Sequence, residues 1–334
     1  MKVKVRIYPY FWSQYYAFYI EGLRRVFGQH NIHFSVAGFP QKMEFDDGFA
    51  FEVNGVHFNR RVFISANDHA RLDSRALRWC DCYGIVNYAP EAGWEEDFPK
   101  VVPIGPSFGI RSWGWRSTLY HALRWQAFTR CRSPHSCLKF ILDYRNQLLN
   151  RLPETAYVPG RSEANYVFYV SWPWKKHPEV NPPRERFIRA CKSIPGLRFE
   201  GGFAPRRRKD VPGIEDITAP KRYPLREYIQ KVKRSAVVFN CPAVHHCLGW
   251  KLGEFLALGK AIVSIPLKRK MPAPLVHGTH IHYVEDSIEA IRDAIQTIIH
   301  DEEYRRHLEI NARRYYLEHL APEKVIGKLC GVNS

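Results

Sequence analysis

Between residues 245 and 265 the chain carries residue types and spacings suited to a charged, hydroxylated ligand. Gly249 opens a short apolar helical pattern running through Trp250, Lys251 and Glu254 to Leu258. A Gly259-Lys260 turn then leads into the buried-strand run 261–265. The first amides of a helix lack intrahelical partners, and the helix dipole favours negative charge beside them. A helix whose first turn carries Gly249 can therefore bring its free N–H groups against an anion. Glu254, about one turn further in, is placed to accept hydrogen bonds from sugar hydroxyls. Together these residues are what a nucleotide-sugar diphosphate would require.

Such a helix must follow the carboxyl end of a strand, and the apolar run 236–240 supplies one. Strands and helices alternate through most of the chain, which predicts an α/β fold whose ligands gather at the strands' carboxyl ends. At 334 residues the chain suits two domains better than one core. The segment 152–160 loses periodicity and carries Pro153, Pro159 and Gly160, which places a break there. The expected division is a first domain over 1–155, a linker over 156–164, a second domain over 165–318 and a closing helix within 319–334. In the first domain Val3, Val5 and Ile7 alternate with Lys2, Lys4 and Arg6 as a strand does, and Asn54-Gly55 marks a hairpin. The loop 10–16 is rich in aromatic rings that either stack on a sugar or fill the core. A strand over 197–200 is expected to close at Gly201-Gly202.

Lys and Arg number 50 against 33 Asp and Glu, a formal charge of +17 that points to polyanionic company: nucleic acid, an anionic membrane surface or phosphorylated substrates. The stretch 111–151 holds eight Arg or Lys against the single acid Asp143, with Trp113, Trp115, Leu119, Leu123, Trp125 and Phe128 interleaved. It reads as a helix pair with a solvated basic face, or as a segment lying among lipid headgroups. The run Pro205-Arg206-Arg207-Arg208-Lys209 reads as a solvated loop, or as a contact for lipid phosphate or nucleic acid. No window reaches 18 uninterrupted apolar residues, and the start of the chain lacks the long apolar core of a secretory signal. Eight scattered cysteines without a C-x-x-C pair suit a reducing cytoplasm. The histidine groups His245-His246 and His277, His280, His282 repeat no zinc spacing, so no metal site is expected.

With its surroundings in place, the motif can be compared with known families. The second half resembles the donor-binding domain of the GT-B glycosyltransferases of the "glycosyl transferases group 1", or family four, type. Their hallmark is E-x7-E with a glycine three residues after the first acid, a small-residue helix end, a Gly-Lys turn and a buried strand. Gly249 stands where that glycine belongs, Glu254 on the second acid, and 258–264 on the continuation; His246 replaces the first acid. The resemblance implies a GT-B fold of two Rossmann-like, doubly wound domains facing a cleft, with the acceptor on the first and the donor on the second. It carries ribose binding to Glu254, diphosphate binding to Gly249, Trp250 and Lys251, and contact with the donor sugar to the position of His246. A basic pair near the end of the domain's first strand usually neutralises the diphosphate, and here Lys175 and Lys176 are nearest. The closing helix is expected to cross back to the first domain.

Transfer from such a donor requires a stabilised leaving diphosphate and a positioned acceptor hydroxyl. Helix-terminal amides and lysines supply the first electrostatically, without a metal or other cofactor. Asp68 and His69, after a strand end in the first domain, are the base candidates by position; the other reading of Asp68 is a helix cap. The partners expected are a nucleoside diphosphate sugar, a saccharide or lipid-linked saccharide acceptor, and an anionic membrane surface touched peripherally from the cytoplasm. Nucleic acid is the rival partner, although no recognisable nucleic-acid-binding signature is present. A GT-B fold that binds or epimerises a nucleotide sugar without transfer is the other alternative.

Overall fold

The computed structural model describes residues 3–40, 48–55, 58–123, 133–206 and 211–332. Residues 207–209 of the polybasic run and 124–132 of the basic segment lie outside these. The chain divides into two compact units, Met1–Ala156 with Arg269–Ala273 and Glu318–Ser334, and Tyr157–Lys268 with Pro274–Leu317. Among the described residues no helix is long and apolar enough to cross a membrane.

The first unit is built on one sheet of β1 (Lys4–Ile7), β2 (Ile32–Phe34), β3 (Gly48–Asn54), β4 (Asn59–Ser65), β5 (Cys82–Ile85) and β6 (Val101–Pro103), in the order β2-β1-β3-β4-β5-β6. β1 and β2 run parallel, as do β4, β5 and β6, while β3 is antiparallel to both its neighbours. The Asn54-Gly55 turn accounts for the reversal: the Gly55 N–H donates to the Phe58 carbonyl at 2.7 Å and returns the chain beside β3. The expected doubly wound sheet is thus mixed here, because a hairpin strand stands at its centre. Residues 56–57 of that hairpin lie outside the described residues.

Helix α1 (Ser13–Phe27) begins inside the aromatic loop, and its rings are mostly core. Phe11 packs edge-on to Phe49 at 5.2 Å and Tyr16 stacks on Phe49 at 5.7 Å, both buried, whereas Tyr15 is exposed. Further along come α2 (Ser74–Trp79), α3 (Trp94–Asp97), α4 (Trp115–His121) and α5 (Pro134–Leu149). Trp12 gives α1 no side-chain cap. Asp143 of α5 does so from 130 residues away: its carboxylate accepts from the Ser13 N–H at 2.7 Å, the Ser13 hydroxyl at 2.8 Å and the Gln14 N–H at 2.9 Å. The buried acid thereby ties α5 to α1.

The second unit alternates strand and helix as far as β10 and closes with a strand and two helices: β7 (Tyr166–Ser171), α6 (Asn181–Ser193), β8 (Arg198–Phe203), α7 (Leu225–Arg234), β9 (Val237–Asn240), α8 (Trp250–Ala257), β10 (Ala261–Ser264), β11 (His282–Tyr283), α9 (Ile288–His300) and α10 (Glu302–Tyr315). β7 pairs with β8, and β9, β10 and β11 pair in turn, all parallel. Ser235 joins the two sets. Its hydroxyl accepts from the Phe168 N–H at 2.9 Å and donates to the Val237 carbonyl at 2.6 Å, beside an Ala236 N–H to Tyr166 carbonyl bond of 2.7 Å. β7 thus lies beside β9, and the two parallel sheets, β8-β7 and β9-β10-β11, follow one another in the spatial order β8-β7-β9-β10-β11, with the direction of winding reversing between β7 and β9. Phe187 of α6 stacks on Phe239 of β9 at 4.5 Å in the core beneath.

β8 does not close at Gly201-Gly202 but runs through both, at φ 123° and 128°. A Cβ on Gly201 would lie 1.9 Å from the Tyr169 carbonyl oxygen of the neighbouring strand. Only glycine allows that backbone and that approach together. Gly201→Ala is expected to cost about 2 kcal/mol or more in chemical denaturation; an unchanged midpoint would contradict this. Lys260, in the Gly259-Lys260 turn, is fully buried, and its ammonium donates to the Ser162 hydroxyl and, at 3.1 Å, to the Lys233 carbonyl. Burial pushes its pKa down to about 8. This lysine anchors the turn.

After a π-helical turn over Tyr316–Leu320 the chain re-enters the first unit as α11 (Pro322–Cys330), which lies on α1. Gly22 permits the approach, since a Cβ there would sit 2.2 Å from the Pro322 carbonyl oxygen. Arg25 then bridges Glu21, Glu154 and Glu323 at 2.8–3.0 Å. The short excursion Arg269–Ala273 also belongs to the first unit, where the Lys270 N–H donates to the Tyr88 carbonyl at 3.0 Å. Nothing in its composition marks that boundary.

Candidate functional site

A cavity of about 510 Å³ opens in the second unit at the carboxyl ends of β7 and β9. It is lined by Val170 and Ser171 from β7, Phe239 and Asn240 from β9, and Gly249, Trp250, Lys251 and Glu254 from the start of α8. This is the point where the winding reverses, which leaves the two loops free to diverge and is where open α/β sheets take ligands. The volume lies in the range of small-molecule sites. Gly249 is the extended N-cap of α8 and has no side chain to fill the space in front of the first-turn amides.

Glu254 is 8% exposed and is the one acidic residue among the described residues that line the cavity. Three of the described lining residues are cations: Arg184, Arg222 and Lys251. The Lys251 ammonium donates to the Val170 carbonyl and lies 4.6 Å from the centre of the Tyr169 ring. Burial, with the nearby Arg184 guanidinium, pushes its pKa down to about 7. Arg184, 7% exposed, donates to the Trp172 carbonyl at 3.0 Å. Arg222 lies over the Trp172 ring at 4.8 Å and donates to the Pro205 carbonyl at 3.0 Å. Burial and then the Glu254 charge hold the Tyr228 phenol well above its usual pKa, so that it stays a neutral donor in the wall. One carboxylate beside three cations, two of them largely desolvated, is an arrangement that an anion bearing hydroxyl groups would complete.

The loop after β7 is held by Asn181, whose side chain exchanges two 2.8 Å bonds with the backbone of Trp174. Trp172 and Trp174 stand at the cavity's edge, 50% and 38% exposed. Lys175 and Lys176 follow on that loop, exposed and outside the cavity lining. The cations that do line it come from α6, α8 and the loop before α7. Arg184 had a legible signal: it falls on the apolar face of α6 with Phe187, Ile188 and Cys191, where an unpaired cation is out of place. Arg222 and Tyr228 carry no comparable signal.

His246 is exposed in the loop leading to Gly249, also outside the lining, with its Nε2 3.4 Å from the Lys268 ammonium. His245 and His246 both adopt positive φ, 54° and 58°, a conformation that non-glycine residues rarely take and that costs about 1 kcal/mol or more. The strain turns the chain sharply between β9 and α8. Asp68 and His69 are exposed in the first unit, in the loop beyond the carboxyl end of β4. Asp68 is not the cap of α2. Asp73 is, accepting from the Arg75 and Ala76 N–H groups at 2.8 and 3.0 Å. The second histidine group serves packing and loop shape: Nδ1 of His280 accepts from the Val276 N–H at 3.1 Å, and Nδ1 of His277 from the Tyr283 N–H at 3.0 Å. Among the described residues no group of three His, Cys, Asp or Glu is arranged to hold a metal ion.

No family model and no curated protein matches the chain. Solved structures do. A point mutant of S. aureus TarM, in complex with fondaparinux, alpha-GlcNAc-glycerol and UDP, is 14% identical over 51% of this chain and 36% of its own, with a TM-score of 0.40. HepE of Anabaena, in complex with UDP and glucose, is 14% identical over 80% of this chain and 70% of its own, with a TM-score of 0.45. A glycosyltransferase from Rickettsia africae is 11% identical over 76% of this chain and 63% of its own, with a TM-score of 0.44. The match thus spans about a third of TarM's length.

Proposed function

We propose that this protein is a GT-B glycosyltransferase that moves a sugar from a nucleoside diphosphate donor to a saccharide or lipid-linked saccharide acceptor. The observation that carries the reading is the cavity at the winding reversal of the second unit, entered by the start of α8, with Glu254 one turn in and three cations around it. In this reading the first-turn amides of α8, Arg184 and Lys251 hold the diphosphate, and Glu254 accepts from the ribose hydroxyls. The same cations stabilise the negative charge that develops as the diphosphate leaves, which is electrostatic catalysis without a metal. Asp68 and His69 are proposed to serve the acceptor or the transferred sugar, and His246 the approach to that sugar.

Turnover tests the proposal. Incubated with a panel of UDP- and GDP-sugars and saccharide acceptors, the protein should release nucleoside diphosphate in step with a glycosylated product. Interconversion of nucleotide sugars without any transfer product would reject transfer and assign an epimerase.

A further inference from the structure

The helices α4 and α5 present a surface that the donor site does not explain. α5 is apolar on two opposite sides. Phe140 and Tyr144, with Asp143 between them, face inward, while Leu138, Ile141, Leu142 and Leu149 recur at helical spacing on the other side, 42–65% exposed. α4, packed beside it, exposes Trp115 and Leu119 by 63% and 52%. Scattered apolar side chains on a surface are ordinary, but a stripe along one helix next to a second exposed group is not. Arg116, Lys139 and Arg145 are interspersed and exposed. The Arg116 guanidinium lies 5.3 Å from the centre of the Trp115 ring.

The only acid from residue 111 to residue 151 is Asp143, and it is 2% exposed with its carboxylate spent on Ser13 and Gln14. The outward sides of α4 and α5 therefore carry cations and apolar groups and no negative charge. We infer that this face docks on a lipid bilayer bearing anionic headgroups, with the leucine and tryptophan side chains entering the acyl boundary and the Lys and Arg side chains reaching the phosphates. Charge complementarity selects this occupant: an apolar stripe whose exposed charged neighbours on the two helices are all cations matches an apolar layer roofed by anions. Neither helix is long enough to span the bilayer, so the protein lies on it. The inference goes beyond the donor-site reading and does not depend on it.

Flotation of the full chain tests the inference, with phosphatidylcholine vesicles compared with vesicles containing added phosphatidylglycerol. The protein should rise with the anionic vesicles and far less with the neutral ones, and added salt should reduce the effect. Leu138→Glu with Ile141→Glu should reduce anionic-vesicle partition at least tenfold. Lys139→Gln and Arg145→Gln should each reduce it about fivefold. These side chains are exposed, so an unchanged melting curve shows that the fold survives. No flotation, or flotation indifferent to the Leu138→Glu, Ile141→Glu pair, overturns the inference. A solution dimer dissolved by that pair would assign the face to a second copy of the chain and overturn it equally.

Discussion

Glu254→Ala is expected to weaken nucleoside diphosphate binding by about 1–3 kcal/mol, roughly five- to 150-fold, the scale for hydrogen bonds to a charged group. Two effects compete. Removing the one carboxylate of the cavity leaves Arg184, Arg222 and Lys251 less compensated, which favours any phosphate. It also removes the acceptor for the ribose hydroxyls. Pyrophosphate, which has no ribose, separates the two: its affinity should hold or rise in the variant while that of UDP or GDP falls. A 2′,3′-dideoxy nucleotide, which lacks the ribose hydroxyls, should follow pyrophosphate, its affinity holding or rising in the variant. Equal losses for pyrophosphate and nucleotide would mean that the substitution disrupts the site and that Glu254 has no ribose role.

Lys251 makes donor binding depend on pH. In the free protein its pKa is lowered to about 7, so near neutrality the ammonium is only half formed. A diphosphate beside it raises that pKa, so binding above pH 7 takes up a proton. Affinity should therefore fall by up to tenfold per pH unit above pH 7, until the pKa of the complex is reached. The terminal phosphate is mostly ionised through this window and does not mask the slope. Folding stability moves the other way. A lysine whose folded pKa lies below its unfolded value near 10.5 destabilises the fold when charged, and that penalty fades as pH rises from about 7 towards 10.5. Lys251→Met should flatten the affinity slope and weaken binding about tenfold or more, while leaving the melting temperature unchanged or higher because a buried charge is gone. Calorimetry in buffers of different ionisation enthalpy reads the proton directly. Equal heats at pH 8 in all buffers would contradict the account.

The parts of this site legible in the sequence are local ones. Gly249, Trp250, Lys251 and Glu254 sit within six residues, and helix geometry alone places them on one turn and a half. The cavity they enter depends on β7 lying against β9, which Ser235 secures across nearly 70 residues. That contact has no pattern in a linear reading. Lysines after a strand are easy to see, yet the direction of their side chains is not: Lys175 and Lys176 lie outside the cavity lining, which Arg184 of α6 joins. Gly201 and Gly202 look like a strand end because glycine usually breaks a strand; here the neighbouring carbonyls demand glycine inside one. The reversal at His245 and His246 was illegible for the opposite reason, since histidine does not announce a left-handed turn. In the first unit the alternation of strands and helices gave the class of fold. The Asn54-Gly55 hairpin that makes its sheet mixed was also visible, although the place of β3 at the centre was not.

On the proposed reading the cavity between β7 and β9 holds a nucleoside diphosphate. Calorimetric titration of the full chain with UDP, GDP and CMP tests it most directly. Saturable one-to-one binding of UDP or GDP is expected, tighter than that of CMP, and weakened in Glu254→Ala. The absence of binding by any of the three would contradict it.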